Sequence, residues 1–196
     1  MLKHFSNEKL TPDQQALLFL AARNLLYHNV IGPKMHKSYS FDGRDHQIDP
    51  RLGEFDILIN DRSCDSTVVY QGHAQNPSRV EYLRKENAKA TEGILPDLTI
   101  YLDVTPEIGL ARTRKNRGIV GKDFFDSKTL EFHEKIRAGY KSEVAHYRSL
   151  PQTDPQYNRI AEIDSHPPIE QVEEAVWSAI TERVGYKLAK FPQKSN

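Results

Sequence analysis

Phe19 and Arg23 stand four residues apart in LLFLAAR, close enough to share one face of a helix. A flat ring beside a forked, donor-only guanidinium would suit a planar heterocycle. An arginine set among leucines and alanines also requires an acceptor wherever it is buried. A core phenylalanine beside a solvated arginine is the plainer and commoner outcome of the same spacing. Further along, Asp61 and Arg62 open DRSCDSTVVYQG directly after an apolar run. If that run is a strand, the pair lies at its carboxyl end, where open α/β sheets bind ligands, and Arg62 brings a permanently charged fork suited to phosphate. With residues 66–71 helical, Thr67, Tyr70 and Gln71 fall on one face, and Gln71 can both donate and accept, as a base edge requires. A strand-end ion pair followed by a polar helix start remains the alternative. A third group, Arg112, Arg114, Lys115 and Arg117, precedes Gly118 and Gly121. Such cations could close over phosphates as a lid, or could simply complement the dipole at a helix end.

Several chemistries find no support. Lys122 follows Gly121 but is followed by Asp123, so the segment is not a phosphate-binding loop, which needs Gly-x4-Gly-Lys-Ser/Thr. The eight histidines show neither HExxH spacing nor pairing with cysteine, and Ser63, Ser66 and Ser78 lack a G-x-S-x-G elbow.

The elements that must position these residues read as alternating helices and strands. Thr11, Pro12 and Gln14 form a capping-box helix start, and Gly32-Pro33 stops that helix after Val30 or Ile31. Residues 34–53, rich in His, Asp, Gly and Ser, read as a long surface loop. Residues 55–60 then form a short strand, with Ile57, Leu58 and Ile59 in succession suggesting burial on both faces. Ser78, with Glu81 three residues on, opens a helix ending near Gly93, and a second strand, 98–103, follows. Thr105-Pro106-Glu107 starts the helix that carries the basic group. A long helix then holds Phe132, Ile136, Tyr140, Val144 and Tyr147 at helical spacing, before a third strand at 159–163. The last helix is expected to bury Ile169, Val172, Val176 and Ile180. The alternation predicts an α/β fold with a parallel sheet.

Composition narrows the function classes. The 196 residues suit one domain, expected over 1–185 with a tail at 186–196. With 27 basic against 27 acidic residues, the chain lacks the basic excess of a broad nucleic-acid-binding face. No apolar stretch approaches the ~20 residues of a membrane span, so a membrane is not an expected partner. Cys64, the only cysteine, excludes an internal disulfide framework and fits a reducing cytoplasm.

Several segments together resemble the thymidylate kinase family. LLFLAAR resembles the helix that places a phenylalanine under thymine and an arginine at its edge, which maps onto Phe19 and Arg23. DRSCDSTVVYQG resembles the signature D-R-x-x-x-S-x-x-A-Y-Q-G, with Arg62 as its phosphate-contacting arginine, Ser66 and Tyr70 as signature positions, and Thr67 and Gln71 at the thymine. PDLTIYLDVTPEIGLARTR is similar to the second signature strand and the lid helix, and RAGY with the last strand and helix also fits. The resemblance runs from Met1 to about Ile180 and implies a P-loop-kinase-like parallel sheet with flanking helices. The implied activity is phosphoryl transfer from ATP, with Mg2+, to dTMP, giving dTDP, in a homodimer formed through the Phe19 helix. Arg62, Arg114 and Arg117 would act on the phosphates, and Asp61 would lie near the magnesium.

The departures carry expectations of their own. Phe124 and Asp126 stand where the lid motif of the family carries arginine and glutamate, leaving Arg114 and Arg117 as the lid candidates. HAQNPS lacks the family's glycine- and arginine-containing turn, and the 34–53 loop is longer than usual. The first strand, the phosphate loop G-x-x-G-x-G-K-[ST] and the second strand of the family have no counterpart in these residues. The expectation is therefore a start at an internal methionine of a longer product, with strands 55–60 and 98–103 either re-paired directly or separated by a gap. Without the loop, ATP has no cradle. Weak dTMP recognition without turnover is expected, and a non-catalytic dTMP-binding or dimer-partner relic of a nucleotide kinase is the rival reading.

Overall fold

The computed structural model describes residues 10–32, 38–41, 44–47, 58–117 and 128–184, in two compact units, Met1–Leu95 and Pro96–Asn196. The first unit is built on helix α1, Pro12–Leu26, which continues through a π-helical turn, Tyr27–Ile31. Its start follows the expected capping box: Gln14 N donates to Thr11 Oγ1 at 3.2 Å, and Thr11 N donates to Gln14 Oε1 at 2.9 Å. Ala16, Leu20, Tyr27 and Ile31 form its buried side.

Strands β1, Ser38–Phe41, and β2, Arg44–Gln47, pair antiparallel within the stretch expected to be a loop throughout. Polar composition argued for a loop, but a hairpin ladder is made by backbone donors and acceptors whatever the side chains. The strand expected over 55–60 is not present at 58–60, and 55–57 lie outside the described residues. Leu58 is 38% and Ile59 87% exposed, so these two residues lack the two-sided enclosure of a buried parallel strand.

Helix α2, Cys64–Thr67, passes into a second π-helical turn, Val68–His73, then a 3-10 turn, Pro77–Arg79, and helix α3, Val80–Ala90. Ser78 does not open a helix as expected. Its hydroxyl donates to Asn76 Oδ1 at 2.8 Å inside the 3-10 turn, where Pro77 fixes the backbone. Ala16, Val68 and Leu83 make the core, with Val80 against it. Gly72 permits the close approach of the π turn to α3, because a Cβ there would meet Val80 Cγ2 at 3.1 Å and Leu83 Cδ1 at 3.3 Å.

The second unit holds the parallel pair β3, Thr99–Asp103, and β4, Ile160–Asp164, with Tyr101 opposite Glu162. Parallel strands need a crossover, supplied here by helices α4, Pro106–Arg117, and α5, Leu130–Ser149. Helix α6, Ile169–Val184, follows, and both α5 and α6 pack on β4. Tyr101, Val144, Tyr147 and Ile160 form the core, with Tyr140 stacked on Tyr101 at 4.7 Å between ring centroids.

Leu102 is 48% exposed between buried Tyr101 and Asp103, so β3 buries one face, as alternation along a strand dictates when only one face is covered. The second unit corrects one expectation. Ile169 is 77% exposed because it begins α6, one turn before the partly buried Val172 and two before Val176.

Among the described residues β3 hydrogen-bonds with β4 alone, and no five-stranded order runs through them. The choice between re-pairing and a gap turns on a strand whose first half, 55–57, lies outside the described residues. So do the lid residues 118–127 and the tail 186–196. No helix among the described residues is long and apolar enough to cross a membrane.

Candidate functional site

Arg23 is the centre of a polar cluster in the first unit. Its Nη2 donates to Thr67 Oγ1 at 2.9 Å and its Nη1 donates to Asn87 Oδ1, which ties α1 to both α2 and α3. Burial draws the Arg23 pKa below the ordinary arginine value, opposed by the neighbouring Cys64, Tyr27 and Asp65. Phe19 lies half-buried one turn earlier on α1. Thr67 and Gln71 are buried, four residues apart, and Tyr70 is half-buried. Gln71 Nε2 donates to Gln15 Oε1 at 3.3 Å, and Gln75 Nε2 donates to the same oxygen at 3.4 Å. The expected grouping of Arg23 with Thr67 is therefore present as a direct hydrogen bond.

Asp61 and Arg62 are exposed just ahead of α2, and Ser66 is half-buried within it. Arg62 adopts φ +65°, a left-handed backbone that is uncommon outside glycine. Its guanidinium lies 5.2 Å from the centre of the Tyr70 ring. Such a conformation costs on the order of 1–3 kcal/mol and is found disproportionately at ligand sites.

In the second unit Arg114 is exposed on α4. Arg117 ends that helix, with its side chain outside the described residues. Arg112, one of the four cations, is engaged elsewhere. It donates to Ser165 O at 2.7 Å and His166 O at 3.2 Å, clamping α4 to the turn after β4. Thr105 N donates to His166 Nε2 at 3.2 Å, and the His166 ring also bonds the Asp164 carboxylate.

At the carboxyl end of β3, Asp103 receives Arg137 Nε at 2.7 Å and Arg137 Nη2 at 2.8 Å, together with the Tyr101 hydroxyl at 2.8 Å and Lys141 at 3.3 Å. The Arg137 hydrogen bonds hold the Asp103 carboxyl well below the usual carboxylate range, against the opposing effect of burial. Burial and the Asp103 carboxylate push the Tyr101 hydroxyl upward.

Sequence reasoning missed Asn87, Gln15 and the Asp103 network. Asn87 had a readable signal: it falls four residues after Leu83 and seven after Val80, on the apolar face of a helix that is otherwise highly charged. Among the described residues there is no group of three His, Cys, Asp or Glu side chains able to hold a metal.

A sequence model of the thymidylate kinase family matches residues 1–176 and so runs through both units. Curated relatives agree. A thymidylate kinase of Solidesulfovibrio magneticus is 37% identical over 137 residues, covering 68% of this chain and 61% of its own length. Those of Thermomicrobium roseum and Enterococcus faecalis are 35% and 34% identical over 177 and 180 residues, each covering 90% of this chain and 70% of the relative. The chain thus spans about three fifths to seven tenths of the length of these relatives.

Proposed function

The chain belongs to the thymidylate kinase family, and from that premise we propose that it serves transfer of the γ-phosphoryl group of ATP to dTMP, giving dTDP, with its first unit as the acceptor site. Phe19 stacks on the thymine ring. Arg23, a donor that cannot become an acceptor, faces thymine O4 and disfavours the amino group that cytosine carries at the same position. Thr67 and Gln71 complete the base edge, Ser66 and Tyr70 line the site, and Arg62 holds the acceptor phosphate. Arg114 and Arg117 close over the transferring group, where arginines stabilise developing charge.

The observation that carries this reading is the Arg23 fork, fixed between Thr67 and Asn87. The bond to Thr67 joins two of the residues that the family resemblance assigns to the thymine. Magnesium would enter with ATP. Mg2+ is commonly held by substrate phosphates, waters and one or two carboxylates, so the single exposed Asp61 is a suitable donor and no dense protein cage is needed.

The sequence contains no G-x-x-G-x-G-K-[ST] loop, so these 196 residues carry acceptor chemistry and not the donor cradle. Binding of dTMP without efficient turnover by this stretch alone follows. Both units belong to one kinase domain over 1–185, followed by a tail. Leu17, Leu25 and Leu26 are exposed on α1, and Leu17, Ala21 and Leu25 form one ridge of it, which favours a homodimer through this helix. The buried thiol of Cys64, the one cysteine of the sequence, fits a cytoplasmic setting.

A panel of nucleoside monophosphates tests the assignment by equilibrium binding. Preference for dTMP supports it, whereas equal binding of dTMP, dCMP and dGMP overturns it.

A further inference from the structure

Asn87 is 1% exposed, and each half of its amide faces a group that permits only one orientation. On one side stands Arg23, which can only donate; its Nη1 reaches Asn87 Oδ1. On the other stand two backbone carbonyls, which can only accept. Asn87 Nδ2 donates to Leu83 O at 2.8 Å and to Cys64 O at 3.5 Å. The amide therefore cannot flip without setting donor against donor and acceptor against acceptor. A buried mismatch of that kind leaves each group unsatisfied and cut off from water.

The outcome is a polar chain of fixed direction: from the carbonyls of α2 and α3, through Asn87, to Arg23, and on to Thr67 Oγ1. The two bonds engage one N–H on each terminal nitrogen of the Arg23 guanidinium. Because the guanidinium is planar, holding two of its nitrogens fixes the directions of all its remaining N–H groups.

We propose that Asn87 is a positioning residue for nucleobase recognition, setting the plane and polarity of Arg23 so that the site accepts a base with a carbonyl oxygen and rejects one with an amino group at that edge. This rests on the acceptor-site reading above. Asn87 itself does not touch the base. Its contribution differs from a structural one in what it moves: the discrimination between dTMP and dCMP, and not only the stability of the three-helix packing.

Two substitutions in the full 196-residue chain separate these contributions. Asn87→Leu removes the acceptor for Arg23 and the donor to the carbonyls. Asn87→Asp keeps an acceptor for Arg23 but replaces the donor by a second, charged acceptor that faces the two carbonyls. Dissociation constants for dTMP and dCMP are measured by calorimetry, together with thermal midpoints, at a temperature where each variant is folded. Both variants are expected to melt lower than the parent chain. The dTMP over dCMP preference is expected to fall roughly tenfold in Asn87→Leu and to stay within about threefold of the parent in Asn87→Asp, since only the former frees the fork. A preference that follows the melting temperature, falling equally in both variants or unchanged in Asn87→Leu, would overturn the proposal. If Asn87→Leu does not fold, Asn87→Ser, whose shorter hydroxyl cannot span to Arg23, replaces it with the same expected loss. Failure of the unsubstituted chain to bind dTMP would overturn the acceptor-site reading and this inference with it, whereas dTMP binding with an insensitive preference would overturn this inference alone.

Discussion

Thr67 Oγ1 accepts a 2.9 Å hydrogen bond from Arg23 Nη2, joining two residues 44 positions apart in the chain. The hydroxyl has a second lone pair and a rotatable proton, so it can serve a ligand while holding the arginine. The guanidinium, drawn partly out of water, finds its acceptors in Thr67 and Asn87, as a buried cation must. In the proposed acceptor site recognition would use the same atoms as packing, which makes the geometry of this pair its most sensitive point.

Arg23→Lys tests whether the fork or the charge matters. Lysine keeps the positive charge but cannot donate to Thr67 and Asn87 in one plane. Affinity for dTMP should fall about tenfold or more, while the salt dependence of the remaining binding stays that of the parent. Titration calorimetry at two ionic strengths reads both quantities, and unchanged affinity would place Arg23 outside the base-recognition edge.

Arg62→Gly separates function from stability. The substitution relieves the left-handed backbone at φ +65° and removes the contact over the Tyr70 ring. These effects, each about 1 kcal/mol and opposite in sign, should leave the melting temperature within a few degrees of the parent. The affinity for dTMP should fall by about tenfold, and that for thymidine, which lacks the phosphate, should not change. Equal losses for dTMP and thymidine would argue against a phosphate role for Arg62.

Asp103 sets a pH dependence in the second unit. Its carboxyl is held below the ordinary range by Arg137, so the folded state favours the ionised form more than the unfolded chain does. The resulting stabilisation is fully present above the unfolded aspartate value near 4 and is lost as pH falls through the lower folded value. Asp103→Asn should therefore cost on the order of 2 kcal/mol at pH 7 and progressively less below about pH 4. Urea denaturation across that range measures it; a constant difference from pH 7 to pH 2 would contradict the assignment.

The sequence was most legible where side-chain chemistry and backbone geometry agree. Thr11, Pro12 and Gln14 announce the start of α1 because a capping box is a local interaction, complete within four residues. That β3 and β4 are strands of a parallel sheet was legible from short apolar runs separated by helical spacing. What stayed hidden depends on partners distant in the chain. Ile57, Leu58 and Ile59 carry strand composition, but 58–60 form no strand, since a strand needs a neighbour that its own residues do not specify. Arg112 belongs by spacing with the lid cations, but the carbonyls of Ser165 and His166, 53 and 54 residues on, engage it. The spacing of Asn87 from Val80 and Leu83 marks it as facing inward, but its partners Arg23 and Cys64 are distant in the chain, and only the packing of α1, α2 and α3 makes it an internal connector.

Leu25→Glu tests the proposed homodimer. Leu25 is 58% exposed on α1, so a charge there leaves the isolated chain stable within about 0.5 kcal/mol. A dimer closed through α1 would be broken by the paired glutamates, and light scattering should show the mass falling from about twice that of the chain to that of one chain. An unchanged dimer mass would place the interface elsewhere.

The most direct test of the central claim is the affinity of the purified 196-residue chain for dTMP against dCMP, measured side by side by titration calorimetry. The account predicts saturable binding of dTMP with a clear preference over dCMP, because the Arg23 fork presents donors to the base edge. Equal affinity for the two, or no binding of dTMP, would contradict it.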